Sequence, residues 1–137
     1  MGCVVQPHTD CRGKTLWMAS LAGANLAGAD LSCTGMGGAD LTDANLVGTN
    51  LSSAGLGAVL IGADLTGANL FDVDFTNAIF DNTNLTGATL LNAFFPHGVP
   101  SGIQWGNTTC PNGTNSDADG GTCVNNDGPL NSNSGYC

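Results

Sequence analysis

The stretch ADLTDANLVGTN, residues 39–50, places Leu41 and Leu46 five residues apart, and each follows a small residue and then Asp or Asn. A five-residue period does not stay on one face of an α-helix, which repeats about every 3.6 residues, or of a flat strand, which repeats about every two. The stretch therefore predicts a backbone that turns a corner every five residues.

The same spacing runs through most of the chain. The large apolar residues at the centres of the fives begin at Cys11 and end at Phe95, with one residue deleted near Gly57, and 16 of the 18 centres are Leu or Phe. Ala or Thr usually stands two residues before each centre, and Gly, Asn or Asp often stands two residues after it. Gly, Asn and Asp tolerate the positive φ of a tight turn, so each five supplies its own corner.

Four fives close a square, and successive squares stack by β-type hydrogen bonds about 4.8 Å apart. The centre and the residue two before it point inward, where one large and one small residue per side fill the narrow interior. Residues twenty apart, or nineteen across the deletion, then lie above one another. Two of the predicted core ladders are Leu26, Leu46, Leu65, Leu85 and Leu31, Leu51, Leu70, Leu90.

These repeats resemble those of the pentapeptide-repeat family, whose pattern A(D/N)LXX is matched by ANLAG, ADLSC, ADLTD, ANLVG, ADLTG and ANLFD. The resemblance covers roughly residues 9–95. It implies an all-β fold, a right-handed quadrilateral parallel β-helix of about four to five coils. We expect an N-terminal cap segment over 1–8, the solenoid over 9–97, and a Cys-, Asn- and Gly-rich segment over 98–137 that docks on the solenoid.

The outward residue before each centre is usually Asp or Asn. Such residues either hydrogen-bond along the stack as amide ladders or form a solvated face with local side-chain-to-backbone bonds. The two columns to which this applies are Asp10, Asp30, Asn50, Asn69 and Asn25, Asn45, Asp64, Asn84.

A few outward positions are apolar instead. Phe71 and Leu91 are predicted neighbours on one face, and Val59 and Ile79 lie on the opposite face with Ile61 beside them. The chain's own C-terminal segment is one candidate cover for Phe71 and Leu91. The group of Val59, Ile61 and Ile79, if uncovered, is the best candidate for a partner surface.

Cys110 and Cys123 enclose turn-forming sequence. A disulfide between them would stabilise the fold by roughly 3 kcal/mol, because it lowers the conformational entropy of the unfolded chain. Inside this loop, Asn115, Asp117 and Asp119 stand at alternate positions before two glycines. Oxygen ligands at alternate positions followed by glycine open a calcium loop, but the first position here is neutral and no Glu closes the loop. The sequence predicts either weak calcium binding or an Asx-rich turn whose polar groups hydrogen-bond to one another.

Six cysteines, mostly outside the repeats, favour disulfide bonds and an oxidising compartment. Cys3 and Cys11 are placed to tie the N-terminal strand over the first coil. Elimination then leaves Cys33 and Cys137 for each other, although six cysteines allow fifteen arrangements. The cysteines lead us to expect a secreted or extracytoplasmic protein. The sequence has no signal-peptide core, so any export signal has been removed or was never there.

Composition and motifs exclude several function classes. The net charge is −9 and Arg12 and Lys14 are the only Arg and Lys residues, so we expect no nucleic-acid partner. No apolar run approaches the length of about 18 residues that spans a bilayer, so we expect no membrane insertion. Titratable and nucleophilic groups do not converge, and a filled solenoid has no cavity, so we expect no catalysis, no cofactor and no small-molecule substrate.

The sequence therefore predicts a non-enzymatic structural or protein-interaction module that presents flat faces to a protein partner or to itself, with end-to-end self-assembly as one form. The family implies an alternative, because some members resemble B-form DNA and modulate gyrase and other type II topoisomerases by mimicry. The net charge of −9 suits that alternative and the six cysteines do not. A weak calcium-dependent binding module is the third possibility.

Overall fold

The chain winds into a four-sided solenoid in which residues about twenty apart lie in neighbouring turns. The structure is a computed structural model, and it describes residues 3–97 and 99–124. Single-residue parallel bridges link the turns and step by twenty residues, or by nineteen where the chain crosses the deletion at Gly57. The four columns of bridged residues are Asp10–Asp30–Asn50–Asn69–Thr89–Thr109, Thr15–Gly35–Gly55–Asp74–Phe94, Ser20–Asp40–Val59–Ile79 and Asn25–Asn45–Asp64–Asn84.

Regular strands are short in this fold because each side of the square turns a corner after a few residues. Within the described residues two strands are formed, β1 (Thr83–Asn84) and β2 (Ile103–Gln104). They pair in parallel, with Thr83 opposite Ile103 and Asn84 opposite Gln104. The β-structure therefore resides mainly in hydrogen bonds that run along the solenoid axis from one turn to the next.

The predicted core ladders are buried. All eight leucines of the two ladders are 0–1% exposed, and nine of the alanines two positions before the centres are equally buried. A Leu→Ala change at such a site typically costs about 2–5 kcal/mol, so these ladders account for much of the stability of the fold. Later turns use larger side chains, and the rings of Phe75 and Phe95 stack with centroids 4.7 Å apart while Phe80 lies 5.1 Å from Phe75.

Threonine replaces alanine at four buried inward positions, and its hydroxyl needs a partner there. Thr34 donates to Leu31 O at 2.6 Å, and Thr49 donates to Leu46 O. Two others bond to the turn below, Thr83 to Leu60 O at 2.7 Å and Thr108 to Leu85 O at 2.8 Å. These hydroxyls can be buried because each donates a hydrogen bond to a backbone carbonyl.

The deletion at Gly57 is accommodated by a close approach of two backbones. A Cβ atom built on Gly57 would collide with Thr76 O in the next turn, and its φ is not positive. Gly57 is therefore required for space rather than for a left-handed conformation.

The ladder continues past residue 97, where the sequence predicts that the solenoid ends. Thr109 bridges Thr89 in the same parallel sense as the turns below, and β2 continues the column above β1. By this register Trp105 and Cys110 occupy centre positions. The five-residue signal fades here because neither centre is Leu or Phe.

A second small core follows the last bridged turn. Val99, Cys110 and Cys123 are buried together, with Phe95 and Trp105 packed against them. The predicted disulfide between Cys110 and Cys123 is present within this cluster. The early part of the C-terminal segment therefore packs over the last aromatic layer of the solenoid.

The N-terminal end is tied by the predicted disulfide between Cys3 and Cys11. Cys11 is fully buried at the first centre position. Cys33 is also disulfide-bonded, and its predicted partner Cys137 lies outside the described residues. In the described part of the chain, no helix has the length and apolarity that crossing a membrane requires.

Candidate interaction surfaces

The first outward column carries the charge contacts of the N-terminal turns. Arg12 Nη2 lies 2.8 Å from Asp10 Oδ2, and Arg12 Nε lies 3.8 Å from Asp30 Oδ2. The hydrogen bond from the Arg12 side chain lowers the pKa of Asp10. Arg12 therefore offsets the repulsion that two stacked aspartates would otherwise have.

The same column continues as an amide ladder. Asn50 Nδ2 donates to Asp30 Oδ1 at 3.2 Å, and Asn69 Nδ2 donates to Asn50 Oδ1 at 3.1 Å. Local bonds occur in both predicted columns: Asn25 Oδ1 accepts the N–H of Ala27 at 3.2 Å, and Asn50 Oδ1 accepts the N–H of Ser52 at 3.2 Å. Both alternatives left open by the sequence are therefore found, and the first column combines them.

Val59, Ile61 and Ile79 form a surface that we call the aliphatic patch. Val59 and Ile79 bridge one another in adjacent turns. Ile79 is 52% exposed, Ile61 is 37% exposed, and Val59 is half-buried. The patch is therefore an outward-facing aliphatic surface, as the sequence predicts.

Aspartates surround the aliphatic patch. Asp40 lies in the turn below the patch and forms a parallel β-bridge with Val59. Hydrogen bonds from the side chain and backbone of Thr42 lower the pKa of Asp40, so this carboxylate is ionised at neutral pH. Asp81 is exposed and stands above Ile61 in the next turn. The patch is thus an apolar centre with an anionic rim.

The second predicted apolar pair, Phe71 and Leu91, is also outward and stacked. Phe71 is 40% exposed and Leu91 is 37% exposed. Asn92 N donates to Pro111 O at 2.9 Å, and a Cβ atom on Gly113 would lie 3.4 Å from Leu91 Cδ1. The described part of the C-terminal segment therefore borders the Leu91 end of the pair, and Phe71 stays exposed.

A groove that the sequence analysis missed runs along the face between the first and third columns. Its volume is about 440 Å³, and its floor includes Gly35, Gly37, Gly55 and Gly57. The Trp17 indole stands at one end, where a Cβ atom on Gly35 would lie 2.8 Å from Trp17 Nε1. The sequence analysis expected no cavity, and this groove on the outer wall departs from that expectation. Glycines at the same two outward positions in consecutive turns were the available signal.

The candidate calcium residues lie in a hydrogen-bonded turn. Asp117 N donates to Asn115 Oδ1 at 2.9 Å, and Asn107 N donates to Asp117 Oδ1 at 2.8 Å. Asp119 N donates to Ser116 O at 3.1 Å. Among residues 3–97 and 99–124, no three or more His, Cys, Asp or Glu side chains gather in a metal-binding group. Calcium binding stays a prediction, and two of its proposed ligand oxygens already accept backbone hydrogen bonds.

Comparison with known proteins places this solenoid in a family. The family model for pentapeptide repeats matches residues 19–55 and 57–92 in 8 copies. The chain belongs to the pentapeptide repeat family. Members of this family form right-handed quadrilateral β-helices and are generally structural or interaction proteins. The break between the two matched ranges falls at residue 56, next to the deletion at Gly57.

Two solved pentapeptide repeat structures resemble this one along most of its length. A protein from the thylakoid lumen of Arabidopsis thaliana is 31% identical with a TM-score of 0.64, over 71% of this chain and 69% of its own. A protein from the cyanobacterium Cyanothece is 30% identical with a TM-score of 0.60, over 72% of this chain and 89% of its own. No individually curated protein matches the chain.

Proposed function

We propose that this pentapeptide repeat protein is a non-enzymatic interaction module that acts outside the reducing cytoplasm and binds a protein partner through the aliphatic patch. The observation that carries the proposal is an exposed group of aliphatic side chains bordered by the aspartates Asp40, Asp43 and Asp81. Exposed apolar surface with a polar rim is the general anatomy of a protein-binding site.

The rim indicates the chemistry of the partner. Asp40 lies below the patch, Asp81 lies above Ile61, and the exposed Asp43 binds the Ile61 carbonyl through its backbone N–H at 2.9 Å. A partner that presents aliphatic side chains flanked by Lys or Arg would complement both the centre and the rim. A second copy of this chain would bring the same anionic rim, so patch-to-patch self-association is disfavoured.

An oxidising compartment is supported by two observations. Cysteines at both ends of the described solenoid are joined in disulfides, which persist outside the reducing cytoplasm. The similar Arabidopsis protein comes from the thylakoid lumen. We infer that this chain works in a comparable extracytoplasmic setting.

Photo-crosslinking tests the proposal with a matched pair of positions. Ile61 and Val47 each follow a core leucine by one residue and each is 37% exposed, but they lie on different faces. A photoreactive residue at position 61 should give a discrete crosslinked product in an extract of the source organism, and the same residue at position 47 should not. The product should weaken in Asp81→Asn and at high salt, because a charged rim is screened by ions. Equal products at both positions, or a product indifferent to charge, would contradict the proposal.

A DNA-mimicking modulator of type II topoisomerases is the second candidate, and the net charge of −9 is the observation that favours it. A supercoiling assay distinguishes the two functions. The interaction module predicts unchanged gyrase activity at micromolar protein, whereas inhibition or protection of the enzyme would support mimicry.

A further inference from the structure

The first turn of the solenoid, residues 10–29, has an open hydrogen-bonding edge. In the next turn Asp30 uses both of its backbone groups, because its N–H donates to Thr9 O and its carbonyl accepts from Cys11 N, each at 2.8 Å. The four equivalent outward residues of the first turn make neither bond within the described part of the chain, and all four are exposed. We call them the edge residues, and they are Asp10, Thr15, Ser20 and Asn25. An open edge of this kind is a template on which another chain can pair.

The apolar core is also incompletely covered at this end. Leu16 is half-buried, although Met36, directly above it in the same core column, is fully buried. Val4 and Val5, which follow the disulfide-bonded Cys3, are 65% and 45% exposed. The end therefore combines open backbone groups with apolar side chains, and both would be stabilised by burial in an interface.

Charge is distributed unevenly along the solenoid axis. Residues 3–29 contain one Asp, one Arg and one Lys, a net charge of +1, and they include every Arg and Lys of the chain. Residues 30–124 contain nine Asp and neither Arg nor Lys. Two copies of the chain would repel one another in most orientations, and the repulsion is weakest where their first turns meet.

The opposite end of the described solenoid lacks a matching edge on the face that begins at Asp10. Cys110 N donates to Thr114 O at 2.8 Å, and Ser116 N donates to Thr108 O at 2.9 Å. These are the N–H and the carbonyl with which Asp10 of a stacked copy would have to pair. The chain's own hairpin already uses them, so head-to-tail growth into a filament is disfavoured.

We propose that the first turn is the docking site for a second copy of this chain, and that the two copies meet N-terminal end to N-terminal end about a twofold axis. The twofold axis makes the facing chains antiparallel. In an antiparallel hydrogen-bonded pair, each of two opposed residues contributes both its N–H and its carbonyl, which is what every edge residue has available. Four such pairs give about eight hydrogen bonds, close to the number of about ten in a typical interface.

The side chains of the edge residues favour one orientation of the twofold axis. An axis through Thr15 and Asn25 places each of these residues opposite its own copy and places Asp10 opposite Ser20 of the second copy. An axis through Asp10 and Ser20 would instead place two Asp10 carboxylates opposite one another, and like charges in such pairs are destabilising. Thr–Thr pairs are favourable across antiparallel chains, so we assign the axis to Thr15 and Asn25.

The proposed dimer is independent of the aliphatic patch. Val59, Ile61 and Ile79 belong to later turns and stay exposed when the first turns meet. A dimer would therefore carry two patches for the partner proposed above, and loss of the dimer would leave each patch intact.

Sedimentation equilibrium and hydrogen exchange on the oxidised 137-residue chain test the proposal. Between about 1 µM and about 1 mM protein, the mass should reach twice 13.7 kDa and rise no further. At concentrations where the dimer prevails, the amides of the edge residues should exchange at least about tenfold more slowly than in an unstructured peptide. A monomer throughout, a mass that keeps rising, or a dimer with unprotected edge amides would overturn the proposal.

A matched pair of substitutions locates the interface. Thr15→Asp and Thr89→Asp each introduce a residue that the repeat often carries at this outward position, but Thr89 lies inside the stack, bridged to Asn69 and Thr109. Thr15→Asp places two carboxylates opposite one another across the axis, so the Kd of the dimer should rise at least about tenfold, and less at high salt. Thr89→Asp should leave the Kd unchanged. Equal Kd values in the two variants would contradict docking through the first turn.

Discussion

Asn45 and Asp64 form a parallel bridge across nineteen residues, whereas the bridge from Asn45 to Asn25 on its other side spans twenty. The solenoid therefore absorbs a one-residue deletion without losing register, because the shortened side lies at Gly57 and the columns realign immediately afterwards. The position of each outward side chain, and so of every surface discussed above, depends on this realignment.

Truncation of a core leucine should destabilise the whole solenoid. Leu46 is fully buried, so Leu46→Ala is expected to lower the free energy of unfolding by about 2–5 kcal/mol. Val47→Ala, one residue later on the outside, should change it by less than about 0.5 kcal/mol. Chemical denaturation under non-reducing conditions measures both, and equal losses would contradict the inward assignment of the centres.

Alanine at Gly57 should be costly, although alanine at the equivalent glycine one turn below should not. A Cβ atom at Gly57 would collide with the backbone carbonyl of Thr76, and we expect Gly57→Ala to destabilise the protein by about 1–3 kcal/mol. At Gly37 the nearest atom to such a Cβ is Trp17 Nε1 at 3.9 Å, so Gly37→Ala should be nearly neutral. A tolerated Gly57→Ala would show that the two turns do not approach closely at the deletion.

The carboxyl of Asp10 should titrate below the usual value for aspartate. Its folded-state pKa is lowered by Arg12, so its contribution to stability is present above the unfolded-state pKa and is lost as the pH falls through the folded-state pKa. In Arg12→Gln, an NMR titration should move the pKa of Asp10 upward. The pKa of Asp40 should not move, because Thr42 is the cause of its lowered value. An unchanged Asp10 titration in the variant would exclude the ion pair.

Removal of the disulfide between Cys110 and Cys123 should loosen the second small core. The pair Cys110→Ser and Cys123→Ser is expected to cost about 3 kcal/mol and to expose Trp105, which packs against those cysteines. Tryptophan fluorescence should shift to longer wavelength, and a Trp17→Phe background assigns the shift to Trp105. An unshifted spectrum would mean that the disulfide does not hold this end of the solenoid.

The hydrogen bonds of the turn at Asn115 and Asp117 lead us to expect identical thermal melts in calcium and in chelator. Two of the proposed ligand oxygens already accept hydrogen bonds from backbone N–H groups, so calcium would have to compete with those bonds. A higher melting temperature in calcium, abolished by Asp117→Asn, would instead support the calcium loop predicted from the sequence.

The sequence predicts the solenoid well because its signal is repeated many times. Leucine at every fifth position defines the core columns, and a single deletion in the period accounts for the change of register. The spacing of the cysteines also predicted the bonds at Cys3–Cys11 and Cys110–Cys123. Each of these features depends on local spacing alone.

Features that occur once are harder to predict. The turn beyond residue 97 uses Trp105 and Cys110 as centres, and a period defined by leucine does not include them. The groove at Gly35, Gly37, Gly55 and Gly57 depends on which outward positions coincide in three dimensions. Glycine is so frequent at the corners that four further glycines do not stand out in the sequence. The aliphatic patch was predictable because three large side chains break a polar pattern, whereas its anionic rim became visible only when the turns were stacked.

Nuclear Overhauser contacts at Asn45 test the central claim most directly, because every surface assignment rests on the stacking register. The account predicts contacts from the Asn45 backbone to Asn25 in the turn below and to Asp64 in the turn above. Contacts to Leu65 in place of Asp64, or the sequential pattern of a helix through residues 39–50, would contradict it.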